Sequence, residues 1–83
     1  MQINFSVRAE GKTQDVSTTY ADVIALEQKF DIDASELAKR QRASWLAYMA
    51  WHALKRTAQT TLSFEDWSNT LEDLDPKDES PNA

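Results

Sequence analysis

Trp45-Leu46-Ala47-Tyr48-Met49-Ala50-Trp51-His52-Ala53-Leu54, followed at once by Lys55 and Arg56, is the stretch on which the fold turns. Nothing in it breaks a helix, and its alanines favour one. At about 100° per residue, Trp45, Leu46, Met49, Ala50, Ala53 and Leu54 cover about half of the helix circumference. Tyr48 and Trp51 project from the other half, one turn apart. A helix that is apolar nearly all round is buried on more than one side. In a chain of 83 residues, part of that surface is expected to be covered by a partner.

Upstream, residues 2–9 alternate with a period of two: Ile3, Phe5, Val7 and Ala9 on one side, Gln2, Asn4, Ser6 and Arg8 on the other. That is a strand with one buried face. Glu10-Gly11-Lys12 holds the only glycine, placed where a tight turn needs positive φ. Thr13 to Thr18 returns as a second strand with Val16 as its apolar weight, giving a hairpin over 2–18. A lone hairpin is marginal, so it must lie on a helix or pair with another chain, and its edge is a candidate oligomerisation surface.

Thr19 with Asp22 three residues on reads as a capping box for a helix over 19–30. Its stripe is Val23, Leu26 and Phe30, with Tyr20 and Ile24 beside it. Asp33 with Glu36 opens a second helix, taken to run over 34–57 and to include the central stretch. Its first half, Lys39-Arg40-Gln41-Arg42, is polar; a break near Ala43-Ser44 is tolerated, but no residue demands one. Ser63 with Asp66 caps a third helix over 63–74, and Leu62 and Trp67 flank the cap as a hydrophobic staple. Phe64, Trp67, Leu71 and Leu74 form its apolar face, and Pro76 stops it. Residues 75–83 carry no large apolar side chain and read as a disordered acidic tail.

The expected fold class is therefore α+β, mainly α. An N-terminal β-hairpin precedes a three-helix bundle, residues 1–74 make one small domain, and an acidic tail follows. The expected core is Phe5, Val23, Leu26, Phe30, Trp45, Leu46, Met49, Leu54, Phe64 and Leu71.

Charge and composition narrow the function. Residues 1–35 carry three bases and six acids, 36–58 five bases and one acid, and 59–83 one base and seven acids, for a net charge of −5. A net acidic chain with a basic middle argues against general nucleic-acid binding. Lys39, Arg40, Arg42, Lys55 and Arg56 spread around the helix rather than along one stripe. The chain has no cysteine, so thiolate metal sites and cysteine nucleophiles are excluded. The N-terminus does not read as a signal peptide, and the central apolar run is too short to span a bilayer, which points to a cytoplasmic protein without membrane partners.

Catalytic signatures are missing. His52, the only histidine, has Tyr48 and Arg56 as its i−4 and i+4 neighbours and reads as a side chain at the margin of the core. Asp31, Asp33 and Glu36 lack the glycine and the alternating oxygen ligands of a calcium loop. One glycine cannot form a phosphate-cradling loop, and no serine has a base beside it. No catalytic, cofactor or metal residue is assigned, and the chain is read as non-enzymatic. Tyr48 and Trp51 either pack on the hairpin or first helix, or form an exposed pair that anchors a partner. The candidate partner-binding residues are Tyr48, Trp51, Lys55 and Trp67.

Three motifs together resemble a family. They are Asp22-Val23-x-Ala25-Leu26-Glu27-x-x-Phe30, the run from Trp45 to Arg56, and Ser63-Phe64-Glu65-Asp66-Trp67 with Leu71 and Leu74. The series resembles the small tail assembly chaperones of long-tailed bacteriophages and prophages. It spans about residues 20–74 and does not extend to the hairpin; Leu26 stands where a tryptophan is frequent. The resemblance implies a soluble chaperone that coats the apolar, helical tape-measure protein (or another tail protein) until tail-tube subunits polymerise. It also implies self-association, and a longer product made by ribosomal frameshifting. Two other readings stay open: a small acidic inhibitor that mimics nucleic acid, and a neck or connector component of the same particle.

Overall fold

The computed structural model describes residues 3–40 and 42–77. Its elements are β1 (Asn4–Ala9), β2 (Lys12–Ser17), α1 (Tyr20–Phe30), α2 (Ala34–Lys39), α3 (Ala43–Arg56), α4 (Phe64–Thr70) and β3 (Asp73–Lys77). The strands form one antiparallel sheet in the order β2-β1-β3. β1 and β2 join through Glu10 and Gly11, both at positive φ (54° and 75°), the backbone that a two-residue hairpin requires. Glu10 reaches this unfavourable region with its carboxylate accepting a 2.9 Å hydrogen bond from the buried Thr60 hydroxyl. Thr18, also buried, ties the hairpin's open end, its hydroxyl accepting from the Ile3 N–H and donating to the Ile3 carbonyl.

The architecture is not a three-helix bundle. It is a mixed α+β fold with the helices against the apolar face of a three-stranded sheet, and three local differences produce it. First, the segment expected to continue as helix 63–74 leaves helical geometry at Leu71 (ψ 121°) and returns as β3. β1 would otherwise present an open edge. Instead the Glu72 N–H donates to the Arg8 carbonyl at 2.7 Å, and Leu74 falls opposite Val7 and Pro76 opposite Phe5. Leu74 packs against the core, while Asp73 and Asp75 are exposed. Pro76, read as a helix stop, is tolerated because β3 is an edge strand. The β1 edge of the hairpin is therefore filled from within the chain, and β2 and β3 are the edge strands of the sheet.

Second, the helix expected over 34–57 is two helices. Arg40 and Arg42 adopt extended backbone between α2 and α3. The Arg40 and Arg42 side chains are exposed and give neither residue a buried anchor in helical register; the Arg42 guanidinium lies 5.7 Å from the Trp45 ring centroid. Third, residues 75–77 of the expected tail belong to β3, and 78–83 lie outside the described residues.

α3 is the centre of the core. Trp45, Leu46, Ala47, Met49, Ala50, Ala53 and Leu54 are all buried along it. With them pack Phe5, Val7 and Val16 from the sheet, Val23 and Leu26 from α1, Leu37 from α2 and Trp67 from α4. Phe30, Phe64 and Leu71, expected in the core, are partly buried at its margin. Leu37 is the one large aliphatic of α2 in the core, and it escaped the sequence reading because a single apolar side chain sets no periodicity.

α3 ends with the Gln59 N–H bonded to the Leu54 carbonyl at 2.8 Å and Ala58 at φ 60°. That is the left-handed position glycine occupies at helix ends. Ala58→Gly should raise stability by about 0.5 kcal/mol, the relief of left-handed strain outweighing the added freedom of the unfolded chain. Urea denaturation checks this; a drop in midpoint would show that Ala58 is not strained.

Candidate functional site: a buried carboxylate clasp, an aromatic strut and an apolar groove

Asp22 occupies the third position of α1 and is fully buried. As the capping pattern implies, its Oδ2 accepts the Thr19 N–H at 2.8 Å. It does more than cap. The Arg56 guanidinium donates from Nη2 to Oδ2 at 2.9 Å and from Nε to Oδ1 at 3.2 Å, and His52 Nδ1 lies 2.6 Å from Oδ1. Burial alone pushes the Asp22 carboxyl upward, but the Arg56 and His52 hydrogen bonds, the Thr19 N–H and the Arg56 charge outweigh it and hold it below its ordinary value. Asp22 in turn raises the Arg56 pKa. A carboxylate ionised at neutral pH has no proton to give, so Nδ1 of His52 is the donor and Nε2 is the ring's other, uncommitted nitrogen.

The sequence reading placed His52 at the core margin because its helical neighbours offered no partner. The partner comes from α1. The i, i+4 spacing of His52 and Arg56 is the signal that was present: two donors on one side of a helix need an acceptor, and Asp22 is the carboxylate in register with them.

Beside the clasp, Tyr48 sits at the hub of an aromatic cluster. Its ring centroid lies 5.7 Å from Phe30, 5.5 Å from Trp51 and 5.2 Å from Phe64. Trp51 packs on Phe64 at 5.8 Å and donates its indole N–H to the Leu62 carbonyl at 2.9 Å. The edge-on contacts of Phe64 with Tyr48 and Trp51, and of Phe30 with Tyr48, add to the stabilisation from burial. Tyr48 therefore packs on the first helix, through Phe30, while Trp51 packs on α4 and the loop before it. Both are partly buried struts rather than a free-standing pair. Lys55 is exposed and its ammonium donates to the Thr61 carbonyl at 3.3 Å. Trp67 is no surface anchor: it is fully buried, on the core side of α4. Its Nε1 has no hydrogen-bond partner among the described residues.

On the other side of Phe64 the surface opens into a groove of about 530 Å³. The first two turns of α3 supply Ala43, Ser44, Leu46 and Ala47; α4 and its exit supply Phe64, Ser68 and Leu71; β3 supplies Leu74. Ala43, Ser44 and Ala47 are small, whereas Leu46, Phe64, Leu71 and Leu74 are large. A slot with small residues along one helix lets the backbone of a further helix approach closely, and larger apolar side chains give its turns something to pack against. None of the four residues named above as partner-binding lines this groove. Phe64 connects the two regions, facing the groove and buttressed by Tyr48 and Trp51.

The clasp makes a prediction. Asp22→Asn removes the charge that Arg56 and His52 face and turns one of the two acceptor oxygens into an amide donor, and should cost about 2–3 kcal/mol at neutral pH, less than a wholly buried pair because both donors reach solvent. The folded Asp22 pKa is depressed, so its stabilisation is complete above the ordinary aspartate value of about 4 and is lost as pH falls through the folded value. Chemical denaturation of both proteins against pH checks this. The stability gap should narrow below about pH 4, and a gap that persists unchanged into acid would show that packing, not charge, carries the effect.

No family model, no curated protein and no solved structure matches this chain.

Proposed function

We propose that this chain is a non-enzymatic chaperone of phage tail assembly that holds an apolar helix of the tape-measure protein in the groove between α3, α4 and β3. The observation that carries this reading is the groove itself: about 530 Å³, mostly apolar, and lined by α3, α4 and β3. The resemblance of the three motifs to tail assembly chaperones supplies the identity of the client. Apolar grooves of this kind accept amphipathic helices through side chains at i, i+3, i+4 and i+7.

The energetics suit a temporary hold. Burial of apolar surface at about 25 cal/mol per Å² is offset by the cost of ordering both partners, so one groove gives modest affinity. A long tape-measure helix offers many such segments, and many copies bound along it keep it soluble while each remains displaceable by tail-tube subunits. Tyr48 and Trp51 act behind Phe64 by holding the groove wall in place. Lys55 stands at the opposite, C-terminal end of α3, outside the groove, and takes no part in this hold. The setting is the host cytoplasm; no helix among the described residues is long and apolar enough to cross a membrane.

Co-expression with a tape-measure protein from a neighbouring gene tests the reading. The long protein should become soluble with this chain and co-purify with many copies of it. Ser44→Glu places a carboxylate in the groove at an exposed, early helical position where an acidic residue suits the helix dipole, so the fold should persist. Desolvating that charge should cut capture by about tenfold or more. A client that stays insoluble with the wild-type chain, or capture unaffected by Ser44→Glu, would sink the proposal.

A further inference from the structure

The clasp leaves one nitrogen of His52 unused. Nδ1 lies 2.6 Å from Oδ1 of the buried Asp22, and the ring is flanked by Tyr48 and Trp51, each 6.2 Å away between centroids. Asp22 is ionised at neutral pH, so in the neutral ring Nδ1 carries the proton and the lone pair stands on Nε2. Trp67 Nε1 is the one buried polar side-chain atom without a hydrogen-bond partner among the described residues. Nε2 of His52 has no partner there either, so it reaches solvent; the side chain as a whole is 27 % exposed. A carboxylate on one ring nitrogen and an outward lone pair on the other set an imidazole to act as a ligand or a nucleophile. Among the described residues no group of three or more His, Asp or Glu side chains could hold a metal ion, so Nε2 lacks co-ligands. What stands near it is positive charge. Lys55 and Arg56 follow three and four residues on, on the same side of α3, and the grip of Arg56 Nε and Nη2 on Asp22 leaves Nη1 over.

We propose that Nε2 of His52 is a phosphoryl-acceptor site. Its lone pair attacks phosphorus and forms the new N–P bond. The donor is a phosphoramidate, the class that includes a phosphohistidine on a second protein. Its P–N bond breaks, and the electron pair goes to the leaving nitrogen, which takes a proton from water. Nothing is oxidised or reduced, and one P–N bond replaces another. The Nδ1 proton stays on the ring, so the positive charge that the phosphorylated imidazole acquires faces the buried Asp22 carboxylate. The added phosphoryl dianion is matched by the Lys55 ammonium and Nη1 of Arg56, which offset the negative end of the α3 dipole. An uncharged acyl group gains nothing from those two cations, and this selects phosphoryl transfer. Because Nε2 is open to solvent, the donor reaches the ring without a pocket beside it. The site lies in the C-terminal half of α3, shares no residue with the groove, and stands independently of the client reading.

Phosphoramidate itself is the probe, with intact-mass spectrometry to follow uptake and phosphorus NMR to place the product. The native chain should take up a single phosphoryl group, on Nε2, in a linkage that acid cleaves. Its rate, relative to N-acetylhistidine in the same solvent, should be about tenfold that of the urea-unfolded chain. That comparison reads what the folded setting of His52 adds, and it avoids the destabilised Asp22→Asn variant. Lys55→Gln changes an exposed side chain, so circular dichroism should show it folded. It should slow transfer about threefold, the effect of one partly screened surface charge. A native rate no higher than that of the unfolded chain, a product on Nδ1, or a Lys55→Gln rate equal to that of the wild type would each overturn the proposal.

Discussion

A carboxylate with no access to solvent is stable only when donors surround it, and Asp22 is such a carboxylate. Thr19, His52 and Arg56 supply the donors, and they come from the start of α1 and the last turns of α3. The clasp therefore fixes the position of α1 along α3. From that follow Val23 and Leu26 in the core, Phe30 against Tyr48, and Tyr48 against Phe64. Hydrophobic burial supplies most of the free energy of so small a domain, but it is non-directional. The clasp adds direction, because its four hydrogen bonds are satisfied at one placement of the two helices.

The groove is a consequence of how the chain leaves its helices. α3 starts at Ala43, after Arg40 and Arg42 have taken extended backbone, and its first turns line the groove. α4 stops early, at Thr70, because Leu71 turns the chain toward β1. Pairing β3 with β1 removes an open strand edge and leaves an apolar face of α3 available.

Polar and apolar side chains are segregated on the surface of the fold. The outer face of the sheet carries Ser6, Arg8, Asp73 and Asp75, with Arg8 and Glu72 paired at 3.0 Å at its margin. Among the described residues the exposed large apolar side chains are Tyr20 and Ile24 on α1, away from the apolar slot between α3, α4 and β3. The net charge of −5 opposes indiscriminate association.

Read alone, the sequence determined the elements whose signals are local. The alternation of Ile3, Phe5, Val7 and Ala9 with Gly11 at the turn specified the first two strands, the boxes at Thr19, Asp33 and Ser63 marked where helices begin, and the apolar run from Trp45 marked the central helix. Period-two alternation was present at Asp73-Leu74-Asp75-Pro76 as well, but Leu71 and Leu74 three residues apart also satisfy a helix, and only a free β1 edge decides between them. Tertiary structure alone decided that contest, the burial of Trp67, the break before α3 and the second role of Asp22. The physical reason is separation along the chain. The bonds from Asp22 to His52 and Arg56 join residues 30 and 34 positions apart, and Val7 meets Leu74 from the opposite end of the fold. Local pattern records which side chains seek burial or a partner; only the folded chain shows which distant group answers.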